Sequence, residues 1–214
     1  MPAAPIRLVL VDDHAMVREA LAALLDDSGL FEIVAQAGSR HAAVAAIKAQ
    51  RPDVVVLDYS IPEGGGLAVL EDLQLQGLAT QVLVLTVHEL PHYAVQVLQA
   101  GASGFMVKSS PVEELIDALQ RVRKGEVYVT PRLAGEVFRA TFQSKKQGGG
   151  LSSLSAREFE LLRALAGGLT LTEASDQLAI STSSASTYRS RMLKKLGLRS
   201  TGELIRFAVE QGVV

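Results

Sequence analysis

The sequence contains no cysteine, no tryptophan and only seven prolines. Without cysteine the chain cannot form a disulfide framework, a thiolate metal site or a cysteine nucleophile, and a reducing compartment is the expected environment. The longest stretch free of Asp, Glu, Lys and Arg, residues 90–107, is broken by Pro91, Gly101 and Gly104. It therefore predicts no membrane span. Because charges follow the N-terminus too soon for a signal peptide, we expect a cytoplasmic protein that contacts no membrane.

The 214 residues carry a net charge of only −2. A chain of this length forms one large domain or two small ones. The low net charge argues against a basic nucleic-acid binder only if the charges are evenly spread. Residues 1–140 hold 11 basic and 17 acidic residues, a net charge of −6, whereas residues 141–214 hold 10 and 6, a net charge of +4. The chain therefore joins an acidic segment to a basic one.

The first 125 residues repeat a unit made of a short β-branched apolar run, a turn and a segment of helical period. The predicted strands are residues 6–11, 32–37, 53–57, 81–85 and 104–107, and the predicted helices are residues 14–27, 39–50, 66–76, 90–100 and 111–123. Two runs, Val54–Leu57 and Val82–Leu85, are apolar at every position, as in strands covered on both faces. The alternation predicts an α/β domain with a doubly wound, five-stranded parallel sheet.

The pattern changes after these units. Residues 131–142 predict one more helix, and residues 143–150 end in three glycines, which predict a linker. Beyond it, capping-box spacings at residues 155–158, 170–173 and 200–203 predict three helix starts, and a fourth helix runs from Ser181 to a stop at Gly197. We predict a domain at 1–126, a connecting helix and Gly-rich linker at 127–150, and an all-α four-helix domain at 151–214.

Polar residues follow or end four of the five predicted strands: Asp12 and Asp13, Asp58, Thr86 and Lys108. In a doubly wound sheet, ligand chemistry lies beyond the carboxyl ends of the strands. If the first and third strands are neighbours, three carboxylates converge there. A hard divalent cation, Mg²⁺, would relieve their repulsion. Lys108 and the Thr86 hydroxyl would then be placed to hold an incoming phosphoryl group.

Each of these residues has an ordinary explanation when taken alone. An acidic pair after a strand is usually a solvated turn or a helix cap, and a single Lys or Thr at a strand end is usually structural. Their joint occurrence at the correct strand ends favours a site. We assign His14 to the first turn of a helix rather than to a metal site, because no second His or Cys is placed to join it.

Three segments resemble a two-component receiver domain of the NarL/FixJ type. They are Val11-Asp-Asp-His-Ala-Met-Val-Arg-Glu-Ala-Leu21, Leu57-Asp-Tyr-Ser-Ile-Pro62 and Ala100-Gly-Ala-Ser-Gly-Phe-Met-Val-Lys108. The resemblance implies a flavodoxin-like receiver fold in which a sensor histidine kinase phosphorylates Asp58.

The resemblance also implies the other residues of this site. Asp12, Asp13, Asp58 and the Tyr59 backbone carbonyl would hold Mg²⁺, and Thr86 and Lys108 would bind the phosphoryl oxygens. Phe105 stands at the position of an aromatic switch and, without a hydroxyl, would act by packing alone. Three glycines at 64–66 depart from the receiver pattern and predict a flexible loop after Asp58.

Residues 154–197 resemble a LuxR-type helix-turn-helix domain. The resemblance implies that the helix after Ser181 enters the major groove and that a homodimer binds promoter half-sites in double-stranded DNA. The candidate DNA contacts are Ser183, Ser186, Thr187, Arg189, Ser190, Arg191, Lys194 and Lys195. Ser184-Ala-Ser186 stands where the family often has Thr-Val-Lys, so we expect an unusual affinity or sequence preference.

These features predict a phosphorylation-controlled transcription regulator rather than an enzyme, with catalysis confined to the receiver's own phosphorylation and dephosphorylation. One alternative is a flavodoxin-like enzyme or a phosphatase with an aspartyl-phosphate intermediate. The first is disfavoured because two acids, not a phosphate loop, follow the first strand, and the second because Asp58 lacks an Asp-x-Asp partner. Another alternative keeps the receiver but makes the helical domain a protein-interaction module, which salt-insensitive or undetectable DNA binding would favour.

Overall fold

The structure is a computed structural model that describes residues 4–62, 64–146, 150–178 and 180–213, with the backbone alone for residues 140–146, 152 and 156. It divides into two compact units, Met1–Gly135 and Glu136–Val214. Among the described residues, no helix is both long and apolar enough to cross a membrane.

The first unit is built on a parallel sheet with helices on both faces. Its strands are β1 (Ile6–Val11), β2 (Phe31–Ala37), β3 (Val54–Asp58), β4 (Gln81–Thr86), β5 (Gly104–Val107) and β6 (Tyr128–Val129), in the order β2-β1-β3-β4-β5-β6. The intervening helices are α1 (Ala15–Asp27), α2 (Arg40–Gln50), α3 (Gly65–Leu75), α4 (Pro91–Gln99) and α5 (Val112–Arg123). Every residue of β3 is buried, which confirms the prediction that this strand is covered on both faces.

The sheet has six strands, so the prediction of five was wrong. The two residues of β6 pair with Gly104 and Phe105, and a two-residue strand leaves no periodic signal in the sequence. Thr130 extends the pairing: its N–H donates to the Phe105 carbonyl at 3.1 Å, and its hydroxyl accepts from the Val107 N–H at 3.2 Å. These residues lie beyond residue 126, where we predicted the first domain to end.

The connecting helix is longer than predicted. Helix α6 spans Pro131–Lys146, so residues 143–146 of the predicted linker are helical. Residues 147–149 of that linker lie outside the described residues.

The second unit contains the four predicted helices after a short 3-10 turn: α7 (Ala156–Ala166), α8 (Leu171–Gln177), α9 (Thr182–Leu196) and α10 (Thr201–Glu210). Ser155 with Glu158, and Thr170 with Glu173, form reciprocal capping boxes. At α10, by contrast, the Glu203 carboxylate accepts from the Arg199 N–H and does not close a reciprocal capping box. The left-handed Gly197 (φ +68°) ends α9 as predicted.

Gly65 and Gly66 are the first two residues of α3, and Gly64 is its N-cap. Gly64 and Gly65 adopt φ values of +113° and +74°, which side-chain-bearing residues rarely adopt. A Cβ on Gly66 would lie 2.9 Å from the Asp58 carbonyl oxygen. The Gly66 N–H donates to the Tyr59 carbonyl at 2.8 Å. The missing side chains therefore let the helix begin directly against the backbone that follows β3.

This close approach predicts opposite effects for two Gly→Ala changes in helices. We expect Gly66→Ala to lower the free energy of unfolding by about 1–3 kcal/mol, because the new methyl group meets backbone atoms that cannot move freely. Gly135→Ala, with no atom within 4 Å of its Cβ, should raise it by about 0.5–1 kcal/mol. Urea titration of the full chain measures both; equal effects would contradict the packing argument.

Candidate functional site

The predicted polar residues meet at one edge of the sheet. Strand β1 pairs directly with β3, β3 with β4, and β4 with β5, all in parallel. The carboxyl ends of these strands therefore lie side by side. Asp12 and Asp13 follow β1, Asp58 and Thr86 are the last residues of β3 and β4, and Lys108 follows β5. The predicted convergence of carboxylates required β1 and β3 to be neighbours, and the structure shows that they are.

The Lys108 side chain links two of the carboxylates. Its Nζ lies 2.5 Å from Asp12 Oδ2 and 3.3 Å from Asp58 Oδ1. Asp12 and Asp58 are only 6% and 4% exposed, so both negative charges are largely removed from water. Unpaired charges in such a place would cost several kcal/mol. The ammonium group compensates part of this cost.

The pKa values of the two carboxyl groups shift in opposite directions. Burial raises the pKa of Asp58 above its usual value, and the nearby Lys108 charge only partly opposes this. Burial also acts on Asp12, but hydrogen bonds from Lys108 and from the His14 N–H outweigh it and lower the pKa of Asp12. For Lys108, burial is outweighed by Asp12 and Asp58, so its pKa is raised.

His14 belongs to this edge, although the sequence argument gave it no part in the site. Its Nδ1 lies 2.8 Å from Asp13 Oδ1 and 3.3 Å from Asp12 Oδ1. Ligand atoms of Asp12, Asp13 and His14 lie within 4.8 Å of one another. His14 also precedes α1, and its backbone N–H donates to Asp12 Oδ1 at 2.8 Å. The expected helix-start position is therefore correct, and the ring is in addition beside the acidic pair.

Arg18 is a neighbour of the site that sequence reasoning missed. The Nη1 of Arg18 donates to the Asp12 carbonyl at 2.5 Å. The same nitrogen lies against Gly38, where an added Cβ would be only 3.3 Å away. Arg18 therefore fixes the backbone that carries the acidic pair. A short loop and the first turn of α1 separate the two residues along the chain, so no sequence spacing indicates the contact.

Thr86 and Phe105 are both completely buried. The Thr86 Oγ1 accepts a hydrogen bond from the His88 N–H at 3.0 Å, which leaves its hydroxyl hydrogen as a donor. Phe105 lies on β5 opposite Val84 of β4, within the apolar core. Phe105, the predicted switch residue, is therefore buried. The Tyr59 carbonyl, predicted as a Mg²⁺ ligand, belongs to the residue directly after Asp58.

Helix α9 carries a polar face made largely of the predicted residues. A shallow depression is lined by Ser183, Ser186, Thr187, Ser190, Arg191 and Lys194. The Thr187 and Ser190 hydroxyls donate to carbonyls four residues earlier, at 3.0 and 2.9 Å. The opposite side holds the completely buried Ala185 and Met192, as the helical period predicts. The depression is therefore lined by four hydroxyl-bearing and two cationic side chains.

The other two predicted contact residues lie differently. Lys195 Nζ lies 2.6 Å from Glu158 Oε2, and the Glu158 side chain is only 2% exposed. The same carboxylate group closes the capping box of α7 by accepting from the Ser155 N–H at 2.7 Å. Lys195 is thus part of the packing between α7 and α9. Arg189 is half-buried and does not line the depression.

Two protein-family models match the chain. One, described as a response regulator receiver domain, matches residues 8–120. The other, described as bacterial regulatory proteins of the luxR family, matches residues 152–208.

Known proteins match almost the whole length. The chain is 32% identical to the response regulator GacA of Pseudomonas aeruginosa over 209 residues, 98% of each chain. It is 30% identical to the response regulator UvrY of Escherichia coli over 208 residues, 97% of this chain and 95% of UvrY. The crystal structure of the response regulator ChrA, from a heme-sensing two-component system, is similar with a TM-score of 0.53 at 30% identity, covering 99% of this chain and 100% of ChrA.

The opposite pKa shifts predict opposite stability changes in metal-free buffer. Because the folded-state pKa of Asp58 is raised, its ionised form costs stability above that pKa, and Asp58→Asn should stabilise the protein at about pH 7. This gain should fade as the pH falls towards the ordinary pKa. Asp12→Asn should destabilise at about pH 7, because a lowered pKa contributes stability that is lost only in acid. Urea unfolding at several pH values tests this, and shifts of the same sign at about pH 7 would contradict it.

Proposed function

Because the chain belongs to the two-component response regulators that join a receiver domain to a LuxR-type DNA-binding domain, we propose that a sensor histidine kinase phosphorylates it on Asp58. The observation that carries this proposal is the Lys108 ammonium group, which lies within 3.3 Å of Asp58 and 2.5 Å of Asp12 at the carboxyl edge of the sheet. An aspartate at a strand end with this cation beside it is placed to accept a phosphoryl group.

In the proposed reaction, a carboxylate oxygen of Asp58 attacks phosphorus. An O–P bond forms while the N–P bond of the kinase's phosphohistidine breaks, and the histidine leaves with the electron pair. Lys108 then pairs with a phosphoryl oxygen, and the buried Thr86 hydroxyl donates to another. Regulation of DNA binding, not turnover of a substrate, is the output, so the chain's own catalysis is limited to forming and losing this phosphoryl group.

The donor set supports Mg²⁺ as the cofactor. Three carboxylates gather at this edge, while Lys108 and Arg18 bring two positive charges, so negative charge remains in excess. Asp12, Asp13, Asp58 and the Tyr59 carbonyl offer the hard oxygen ligands that Mg²⁺ prefers. The Tyr59 carbonyl lies at this edge, where it accepts a hydrogen bond from the Gly66 N–H at 2.8 Å. When bound, Mg²⁺ would shield the charge of the incoming phosphoryl group.

Phosphorylation is proposed to act on the output through packing. Movement of Thr86 towards the new phosphoryl group would change the space around Phe105, which is completely buried and has no hydroxyl to anchor it. The altered surface after β4 would then change how the helical domain is held, through the connection at residues 127–150. In this proposal phosphorylation favours a homodimer on paired promoter half-sites.

Helix α9 is the proposed recognition helix for double-stranded DNA. Arg191 and Lys194 would contact phosphates, while Ser186, Thr187 and Ser190 would face base edges in the major groove. Ser183 lies near the helix start, where backbone N–H groups favour phosphate. We assign Lys195 to stability instead, because Glu158 already holds its ammonium group. Both proposed partners, the kinase's phosphorylated domain and promoter DNA, place this action in the cytoplasm.

The acceptor assignment predicts the fate of a radioactive phosphoryl label. Incubation with labelled acetyl phosphate and Mg²⁺ should label the full chain, and Asp58→Asn should abolish the label because the attacking carboxylate is gone. Asp27→Asn, at the exposed end of α1, should label normally. Retention of the label by Asp58→Asn would refute the assignment.

The two adjacent lysines of α9 should behave differently. Lys194→Ala should weaken binding to random-sequence duplex DNA. It should also lower the salt dependence of the binding constant by an amount that corresponds to about one released counterion. Lys195→Ala should instead lower the free energy of unfolding of the helical domain by about 1–3 kcal/mol, because the buried Glu158 loses a partner. Lys48→Ala, on the first unit, is the control. Binding that is insensitive to salt would favour a protein-interaction role for the helical domain.

A further inference from the structure

Three rings pack together beside the carboxyl edge of the sheet. Tyr93 of α4 lies at the centre: its ring stacks on His88 with centroids 4.8 Å apart and planes 18° apart. It meets the Tyr59 ring edge-on, also at 4.8 Å. Tyr59 and Tyr93 are 3% and 1% exposed. We call Tyr59, His88 and Tyr93 the Tyr93 cluster.

The two outer rings of the Tyr93 cluster belong to residues that touch the proposed phosphorylation site. Tyr59 follows Asp58 in the chain, and its N–H donates to the Leu85 carbonyl at 2.8 Å. His88 donates its backbone N–H to the Thr86 hydroxyl oxygen at 3.0 Å. A single side chain on α4 therefore holds the segments that follow both Asp58 and Thr86.

We propose that Tyr93 is a positioning residue for phosphoryl transfer, which sets the Thr86 hydroxyl relative to Asp58 through its ring contacts with His88 and Tyr59. The inference rests on the proposed function, in which Asp58 accepts the phosphoryl group and Thr86 donates to it. None of the three rings needs to touch the substrate for this role.

The geometry of the Thr86 hydroxyl explains how the effect is transmitted. Its oxygen accepts from the His88 N–H, so its hydrogen points elsewhere and is available to a phosphoryl oxygen. Stacking on Tyr93 limits where the His88 backbone lies, and through this hydrogen bond it limits the direction of the hydroxyl. Loss of a preoriented donor slows a reaction that depends on it. The same contacts work in reverse, so a phosphoryl group that moves Thr86 also acts on α4.

A double-mutant cycle separates positioning from a general loss of packing. The readout is the rate constant for phosphorylation of the full chain by acetyl phosphate at saturating Mg²⁺, in wild type, Tyr93→Leu, Thr86→Ala and the double variant. We expect Tyr93→Leu to slow phosphorylation about fivefold when Thr86 is present and to have no further effect once Thr86 is replaced by alanine. Tyr93→Phe keeps the ring and should stay within about twofold of wild type.

His88→Ala provides a second route should Tyr93→Leu fail to fold. It removes the half-buried ring that stacks on Tyr93 and should give the same slowing, again only with Thr86 present. His41→Ala, an exposed histidine on α2, is the matched control and should not change the rate constant.

The outcomes distinguish this inference from the proposed function. Equal slowing with and without the Thr86→Ala change, or no slowing by either variant, would overturn the role of Tyr93 while Asp58 stays the acceptor. A wild-type chain that is not labelled, or a label that survives Asp58→Asn, would overturn the proposed function itself.

Discussion

The ion cluster formed by Lys108, Asp12 and Asp58 is the constraint around which the first unit is arranged. The two carboxylates come from the ends of β1 and β3, which pair directly, and the ammonium group comes from the end of β5. Parallel strands point their carboxyl ends the same way, so the topology itself forces these charges together. The cations of Lys108 and Arg18 do not balance the three acids Asp12, Asp13 and Asp58. In the proposed function, this excess of negative charge is what Mg²⁺ would offset and what an added phosphoryl group would increase.

Much of this site could be predicted from the sequence, because strands and their ends leave strong local signals. The continuous apolar runs Val54–Leu57 and Val82–Leu85 locate buried parallel strands, and the polar residues that end them then fall at one edge. Contacts between distant segments leave no such signal. Arg18 reaching the Asp12 carbonyl, and the His14 ring beside Asp13, depend on the path of the loop after β1.

The second unit shows the same division between local and distant information. Capping boxes and the period of α9 locate its helices and its polar face. Charge alone, however, suggested that adjacent Lys194 and Lys195 act together. The structure separates them, since a buried glutamate at the start of α7 holds Lys195 while Lys194 lies on the open polar face. A basic residue on α9 thus has two possible uses, and only tertiary contacts tell them apart.

The short strand β6 has a consequence for how the chain can be divided. A fragment that stops before Tyr128 would keep every residue proposed for phosphorylation, yet it would leave β5 as an open sheet edge. The Val107 amide and the Phe105 carbonyl would lose their partners on Thr130, one and three residues from Lys108. Open edges of this kind recruit other chains. Proteolytic trimming behind α5 would thus promote self-association of the receiver without removing a single residue of its acidic edge.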